Sequence, residues 1–185
     1  VCATVGTYMV LRGMAFFGDA LAHTVLPGVA LGYIVSGGER APLFWWALGT
    51  AVLAPLGIGA ISKNARIKED TSIGIIFAGM FALGIAIIST VRSYAVDLSH
   101  FLFGDVLGVT DRDLLLTAVF GGIVLLLVFI FYKEFLTLSF DPVLAATLRM
   151  PVGLLNNLLL AMIAVTVAVS MQTVGVALMV AMLVT

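Results

Sequence analysis

The chain has 185 residues, of which 62% are hydrophobic and 10% charged, with 9 Lys and Arg set against 10 Asp and Glu. A soluble domain is about 45–50% apolar and about 25% charged, so this composition, with a mean hydropathy of +1.22, is that of an integral membrane chain. A net charge of −1 without Lys/Arg clusters argues against nucleic acid and against a basic lipid-binding patch, and the lone Cys2 excludes an internal disulfide framework and a thiolate metal cage.

Uncharged runs of about 20 residues, the helix length that crosses about 30 Å of hydrocarbon, predict the spans in order. A partial first span covers Val1–Leu11, with no Met start, basic leader or cleavage site ahead of it. A second runs from about Gly18 to Ser36, a third from Pro42 to Ser62, a fourth from Ser72 to Val91 and a fifth from about Leu114 to Tyr132. Arg12, Glu39–Arg40, Lys63–Asp70 and Arg92–Asp113 punctuate them. No charged residue occurs from Pro151 to Thr185, a run that as one helix would reach about 52 Å, too long for one crossing. A break near Gln172–Gly175 is therefore expected to end a sixth span and open a seventh. Both termini fall inside apolar runs, so the expectation is an all-α polytopic transmembrane bundle, one domain over residues 1–185, cut from a longer protein.

Basic residues orient the bundle. With the Arg12 turn on the cytoplasmic side, the inner loops hold Arg12, Lys63, Arg66, Lys68, Lys133 and Arg149, and the outer loops only Arg40, Arg92 and Arg112. The positive-inside rule favours that arrangement. It puts the Lys133–Met150 loop inside and the acidic Asp97–Asp113 loop outside. Gly28 and Gly32 form a GxxxG, and Gly18, Ala22, Gly74, Gly79 and Gly84 add small positions where helix backbones can approach closely.

Within the second span, "GDALAHTVLPG" (18–28) places a carboxylate and an imidazole in hydrocarbon. Asp19 and His23 are four residues apart and share one helix face. A charge at mid-bilayer costs at least a few kcal/mol, so such residues usually face a cavity or an ion path. Pro27 has no N–H for the carbonyl of His23, which predicts a kink there and an additional backbone oxygen. Carboxylate with imidazole suits Mn²⁺, Fe²⁺ or Zn²⁺ and not Cu(I). The same pair also reads as an Asp–His hydrogen bond that ties two helices together.

Asp97 and His100 form a second acid–imidazole pair in the outer loop, near Asp105, Asp111 and Asp113. They read either as cation collectors at an outer mouth or as an ordinary solvated loop. No HExxH, GxSxG or GxxxxGK[ST] occurs, so no zincin, serine hydrolase or P-loop ATPase is encoded. In the inner loop, "SFDPVLAATLRMP" (139–151) predicts a helix of about two turns, with Asp141 as N-cap, Pro142 at the first helical position and Pro151 as the stop. It reads as surface filler or as a peg for a soluble partner, with Phe140, Val143, Leu144 and Leu148 as the contact residues.

Four stretches, "LRGMAFFGDALAHTVLPGVALG", "IKEDTSIGIIFAGMFALGIAIIS", "FLFGDVLGV" and "SFDPVLAATLRMPVG", resemble in that order the motifs of the membrane permease subunits of ABC transporters for manganese, zinc and iron, closer to the manganese/iron branch. The resemblance implies the metal-type ABC importer permease fold in a prokaryotic plasma membrane. It also implies a homodimer of permeases, two ATP-hydrolysing subunits on the cytoplasmic side and a metal-binding protein outside. Asp19 and His23 then match the metal-path pair, and 139–151 matches the coupling segment, with Phe140, Asp141, Pro142, Leu144 and Leu148 facing the ATPase. Arg149 departs from the pattern, standing where the family commonly has Gly. Two other readings are a permease for a metal chelate and a proton-coupled secondary transporter. The first has no obvious need of a buried Asp–His pair, the second none of the inner helix.

Overall fold

The computed structural model describes residues 1–37, 40–65, 69–90 and 109–184, all helix or short connection. Asp97 and His100 lie outside the described residues, as do Glu39, Arg66, Lys68 and Arg92. The helices are α1 (Cys2–Leu11), α2 (Ala15–Thr24), α3 (Leu26–Ser36), α4 (Arg40–Ala65), α5 (Glu69–Ser89), α6 (Asp111–Ile130), α7 (Tyr132–Phe140), α8 (Pro142–Thr147), α9 (Val152–Val174) and α10 (Val176–Val184). Hydrocarbon offers no partner to a free N–H or C=O, so a chain this apolar must satisfy its backbone within helices. Its hydroxyls do the same: buried Thr24 and Thr166 donate to the carbonyls of Leu21 and Met162 at 2.9 and 2.8 Å.

Five stretches are long and apolar enough to cross a membrane: Phe16–Ser36, Pro42–Ser62, Asp70–Ser89, Asp111–Ile130 and Val152–Met171. They match the second to sixth expected spans. The fifth begins three residues early because Thr110 caps it: the Thr110 hydroxyl accepts from the Asp113 N–H, and the Asp113 carboxylate accepts in return from the Thr110 N–H. Asp113 is thereby a capping residue. The expected break near Gln172–Gly175 falls at Gly175, whose φ of 79° ends α9 and lets α10 begin. α1 and α10 pack against each other.

The least apolar span, Phe16–Ser36, is 67% buried, whereas the most apolar, Asp111–Ile130, is 17% buried. Apolar surface has no reason to leave lipid, so packing and polar groups decide which helix goes inside. Around the centre, α9 runs against α4, α6, α1 and α2, while α3 lies along α4 and α5. Phe17, Leu21, Leu159, Leu160, Ile163 and Met179 are among the side chains sealed there.

Gly28 is where α3 meets α4 most closely. A Cβ at Gly28 would collide with the Thr50 hydroxyl and stand 2.5 Å from the Trp46 carbonyl oxygen. Thr50 already donates to the carbonyls of Trp46 and Ala47, at 3.1 and 3.0 Å, and cannot easily move away. We expect Gly28→Ala to destabilise the bundle by about 1–3 kcal/mol. Gly122→Ala, at a position with nothing within 4 Å, should be neutral or stabilising by about 0.5–1 kcal/mol. Thermal unfolding in detergent measures both, and equal midpoints would rule out a tight α3–α4 seam at Gly28.

Candidate metal-path site

The site begins with how α1 gives way to α2. Arg12 ends α1, Gly13 takes φ 70°, and the N–H groups of Gly13 and Met14 bond the carbonyls of Val10 and Met9 at 2.9 and 3.0 Å. This Schellman closure turns the chain back at once into α2, which carries Asp19 and His23. At the far end Pro27 interrupts the helical ladder, as expected. The interruption is a single residue: Val25 stays near helical geometry (φ −75°, ψ −23°), its N–H is directed to the His23 carbonyl, and its own carbonyl accepts from Val29 at 3.1 Å. Pro27 then sits in the first turn of α3, where a missing N–H costs nothing. A contact across only two residues does not replace the i+4 donor that Pro27 lacks, so the His23 carbonyl keeps its standing as an additional backbone oxygen.

His23 Nε2 stands 3.7 Å from Asp19 Oδ1. That is too long for a hydrogen bond, which for N–H···O spans about 2.7–3.2 Å. It is a separation that two ligands, each about 2.0–2.2 Å from a shared ion, can adopt. Exposure of 24% for the imidazole and 40% for the carboxylate leaves both reachable. The expected alternative, a bonded Asp–His tie, is not formed. Among the described residues no third His, Cys, Asp or Glu joins the pair, so an ion held here would draw further oxygen ligands from water, backbone or groups outside the described residues.

Sequence reasoning missed the other half of the surroundings. Phe77 and Phe81, one turn apart on α5, stand 5.8 and 5.4 Å from the His23 ring, both near perpendicular to it, and stack on each other at 5.8 Å. The spacing of two phenylalanines on one face of the fourth span was the available signal. Their pairing with α2 needed the fold.

The 139–151 segment forms as expected at its start. The Asp141 carboxylate accepts from the N–H groups of Val143 and Leu144 at 3.0 and 2.9 Å, and Pro142 opens α8. Asp141 is thus committed to capping. Phe140, Val143, Leu144 and Leu148 are all exposed, making an apolar tip among the described residues. Pro151 is not the stop. α8 ends at Thr147 through a second Schellman closure, in which the N–H groups of Arg149 and Met150 bond the carbonyls of Ala146 and Ala145, each at 3.1 Å. Pro151 instead opens α9, its carbonyl accepting from Leu154 and Leu155 at 3.0 Å. The residue at the left-handed position of this closure is Arg149, with φ 58°, where the same closure after α1 uses Gly13.

The helices make a polytopic membrane bundle whose polar pair lies on its most buried span. The chain belongs to the ABC 3 transport family, which it matches over residues 1–185. It is 44% identical over 185 residues to the manganese transport system membrane protein MntC of Halalkalibacterium halodurans, covering 100% of this chain and 62% of that one. It is 39% identical over 184 residues to the chelated iron transport system membrane protein YfeD of Yersinia pestis, covering 100% of this chain and 60% of that one. Among solved structures, PsaBC from Streptococcus pneumoniae in complex with Fab superposes with a TM-score of 0.79 at 42% identity, covering 99% of this chain and 64% of that one. The chain therefore spans about three fifths of the length of these relatives.

The left-handed Arg149 yields a stability prediction. A residue with a Cβ pays about 1–2 kcal/mol to hold that conformation, partly offset by the greater unfolded freedom of glycine. Arg149→Gly should therefore stabilise the bundle by about 1 kcal/mol, read as a raised thermal midpoint in detergent. A lowered midpoint would show that contacts of the arginine outweigh the strain.

Proposed function

We propose that this chain forms the greater part of the permease subunit of an ABC importer for divalent metal ions, manganese or iron before zinc. Asp19 and His23 are the metal-path ligands. Alternating access of the bundle, driven by ATP-binding cassette subunits on the cytoplasmic side, moves the ion across a prokaryotic plasma membrane. An extracellular metal-binding protein delivers the ion, and a second permease copy completes the transporter. The permease itself is no enzyme; hydrolysis belongs to its ATPase partners.

One observation carries the reading: a carboxylate and an imidazole on the most buried span, 3.7 Å apart, unbonded and reachable. Ionisable groups placed within a membrane span ordinarily face a cavity or mark an ion path. The donor set is hard to borderline, as Mn²⁺ and Fe²⁺ prefer, and one relative is named for manganese. A bare ion gains from such ligands, whereas a chelate arrives with its coordination already filled. Asp97 and His100, on the expected outer side, would collect cations at the mouth.

The apolar tip around α8 is the coupling element in this reading. Asp141 and Pro142 shape it, and Phe140, Leu144 and Leu148 make the contact.

Two experiments test the proposal in the full-length protein assembled with its partners. Asp19→Asn and His23→Gln keep size and hydrogen-bonding capacity but remove the charge and the imidazole ligand. We expect either to abolish uptake of radioactive manganese at unchanged membrane level and thermal stability, because amides ligate borderline divalent cations poorly. Undiminished uptake in both would remove the metal-path role. Phe140→Ala with Leu144→Ala should leave the bundle inserted but lose uptake and ATPase binding together. Normal binding and uptake in that variant would dismiss α8 as the coupling element.

A further inference from the structure

The orientation of a ligating histidine is ordinarily secured through its second ring nitrogen, which donates to a carboxylate, a backbone carbonyl or a water. His23 departs from that arrangement. Its Nδ1 is buried and has no hydrogen-bond partner among the described residues, and Asp19 is too distant to hold Nε2 by a hydrogen bond. What touches the ring is aromatic. Phe77 meets it at 5.8 Å and 65°, Phe81 at 5.4 Å and 79°, within the 4.5–7 Å range where the positive edge of one ring is attracted to the negative face of another.

These rings are themselves held. Phe77 and Phe81 stack within 15° of parallel, and Phe16, on α2 one turn before Asp19, closes on Phe77 edge-on at 5.7 Å. The helix that carries them is set against the proline break by Gly84, on the same face of α5. A Cβ at Gly84 would lie 3.0 Å from the Leu26 Cβ and 3.2 Å from Pro27. The missing side chain thus lets α5 rest directly on the start of α3, and the rings reach His23 from that seat.

We propose that Phe77 and Phe81 are positioning residues for His23, holding its ring so that Nε2 stays directed at Asp19 with the gap between them open to a divalent cation. The proposal rests on the metal-path reading above. It replaces the usual polar support of a ligating imidazole with two aromatic contacts, which steady the ring without supplying an acceptor or a charge that would compete with the ion. A core filler would be indifferent to the ring and sensitive only to volume. A positioning pair needs the ring.

The test is the concentration dependence of radioactive manganese uptake by the full-length transporter with its ATPase partners, at matched membrane levels. Phe77→Leu with Phe81→Leu keeps apolar bulk and removes both rings. We expect an apparent KM raised about tenfold, with Vmax near wild type, from the loss of two such contacts. Phe77→Tyr with Phe81→Tyr keeps the rings and should keep the wild-type KM. An unchanged KM in the leucine variant, a fall in Vmax alone, or a tyrosine variant as impaired as the leucine one would overturn the positioning role. Should the double leucine variant fail to reach the membrane, Phe81→Leu alone carries the test, with a KM raised about threefold supporting the role and a wild-type KM overturning it. Asp19→Asn in the same assay separates the two levels of the argument. Wild-type uptake there removes the metal path and the positioning role together, whereas lost uptake there with unaltered KM in the phenylalanine variants removes only the latter.

Discussion

Hydrocarbon leaves no backbone amide to water, and the architecture of this chain follows from that constraint. Where Pro27 withdraws one donor, the chain does not unwind. Val25 remains near helical geometry and Pro27 is absorbed into the first turn of α3. The disturbance is confined to one residue because a longer one would strand further polar groups. It falls immediately after Asp19 and His23, so the span with the costliest side chains also carries the interruption of its helix, and α2 packs there on α5, α9 and α4.

At the two extremes of the five crossings, burial and hydropathy run against each other. The least apolar crossing is the best covered, and the most apolar is among the least covered. In water the order would be reversed, since apolar surface would be driven inward. In lipid that drive is absent, and close backbone approach takes its place. Gly28 against Trp46 and Thr50, and Gly84 against Leu26 and Pro27, are two such approaches, and both converge on α3. They hold the helix that follows the polar pair between α4 and α5. The position of Asp19 and His23 thus depends on residues that have no side chain at all.

The two Schellman closures show the same geometry met in different ways. After α1 the left-handed position is Gly13, which holds it without strain; after α8 it is Arg149. The hydrogen bonds are equivalent in both. The closure after α8 keeps Phe140, Val143, Leu144 and Leu148 exposed on one side and leads directly into α9, so the apolar tip is joined by three residues to the helix at the centre of the bundle.

Much of this was legible in one dimension. Membrane class, the order of the crossings, the break near Gly175, the Asp141 cap and the shared face of Asp19 and His23 all follow from composition, charge punctuation and helical spacing. Each is a local or bulk property: the length of an apolar run, the missing N–H of a proline, a carboxylate one turn before the amides it caps. What the sequence alone did not decide was everything that depends on which helix lies beside which. That Pro151 opens a helix instead of stopping one, that Arg149 is left-handed, and that Asp19 and His23 stand 3.7 Å apart without bonding emerged only from the folded chain. The aromatic surroundings of His23 come from α5, more than fifty residues further along. Periodicity states which face a residue is on, and only packing states what that face meets, because in lipid the partner is selected by close approach between backbones and not by hydrophobicity.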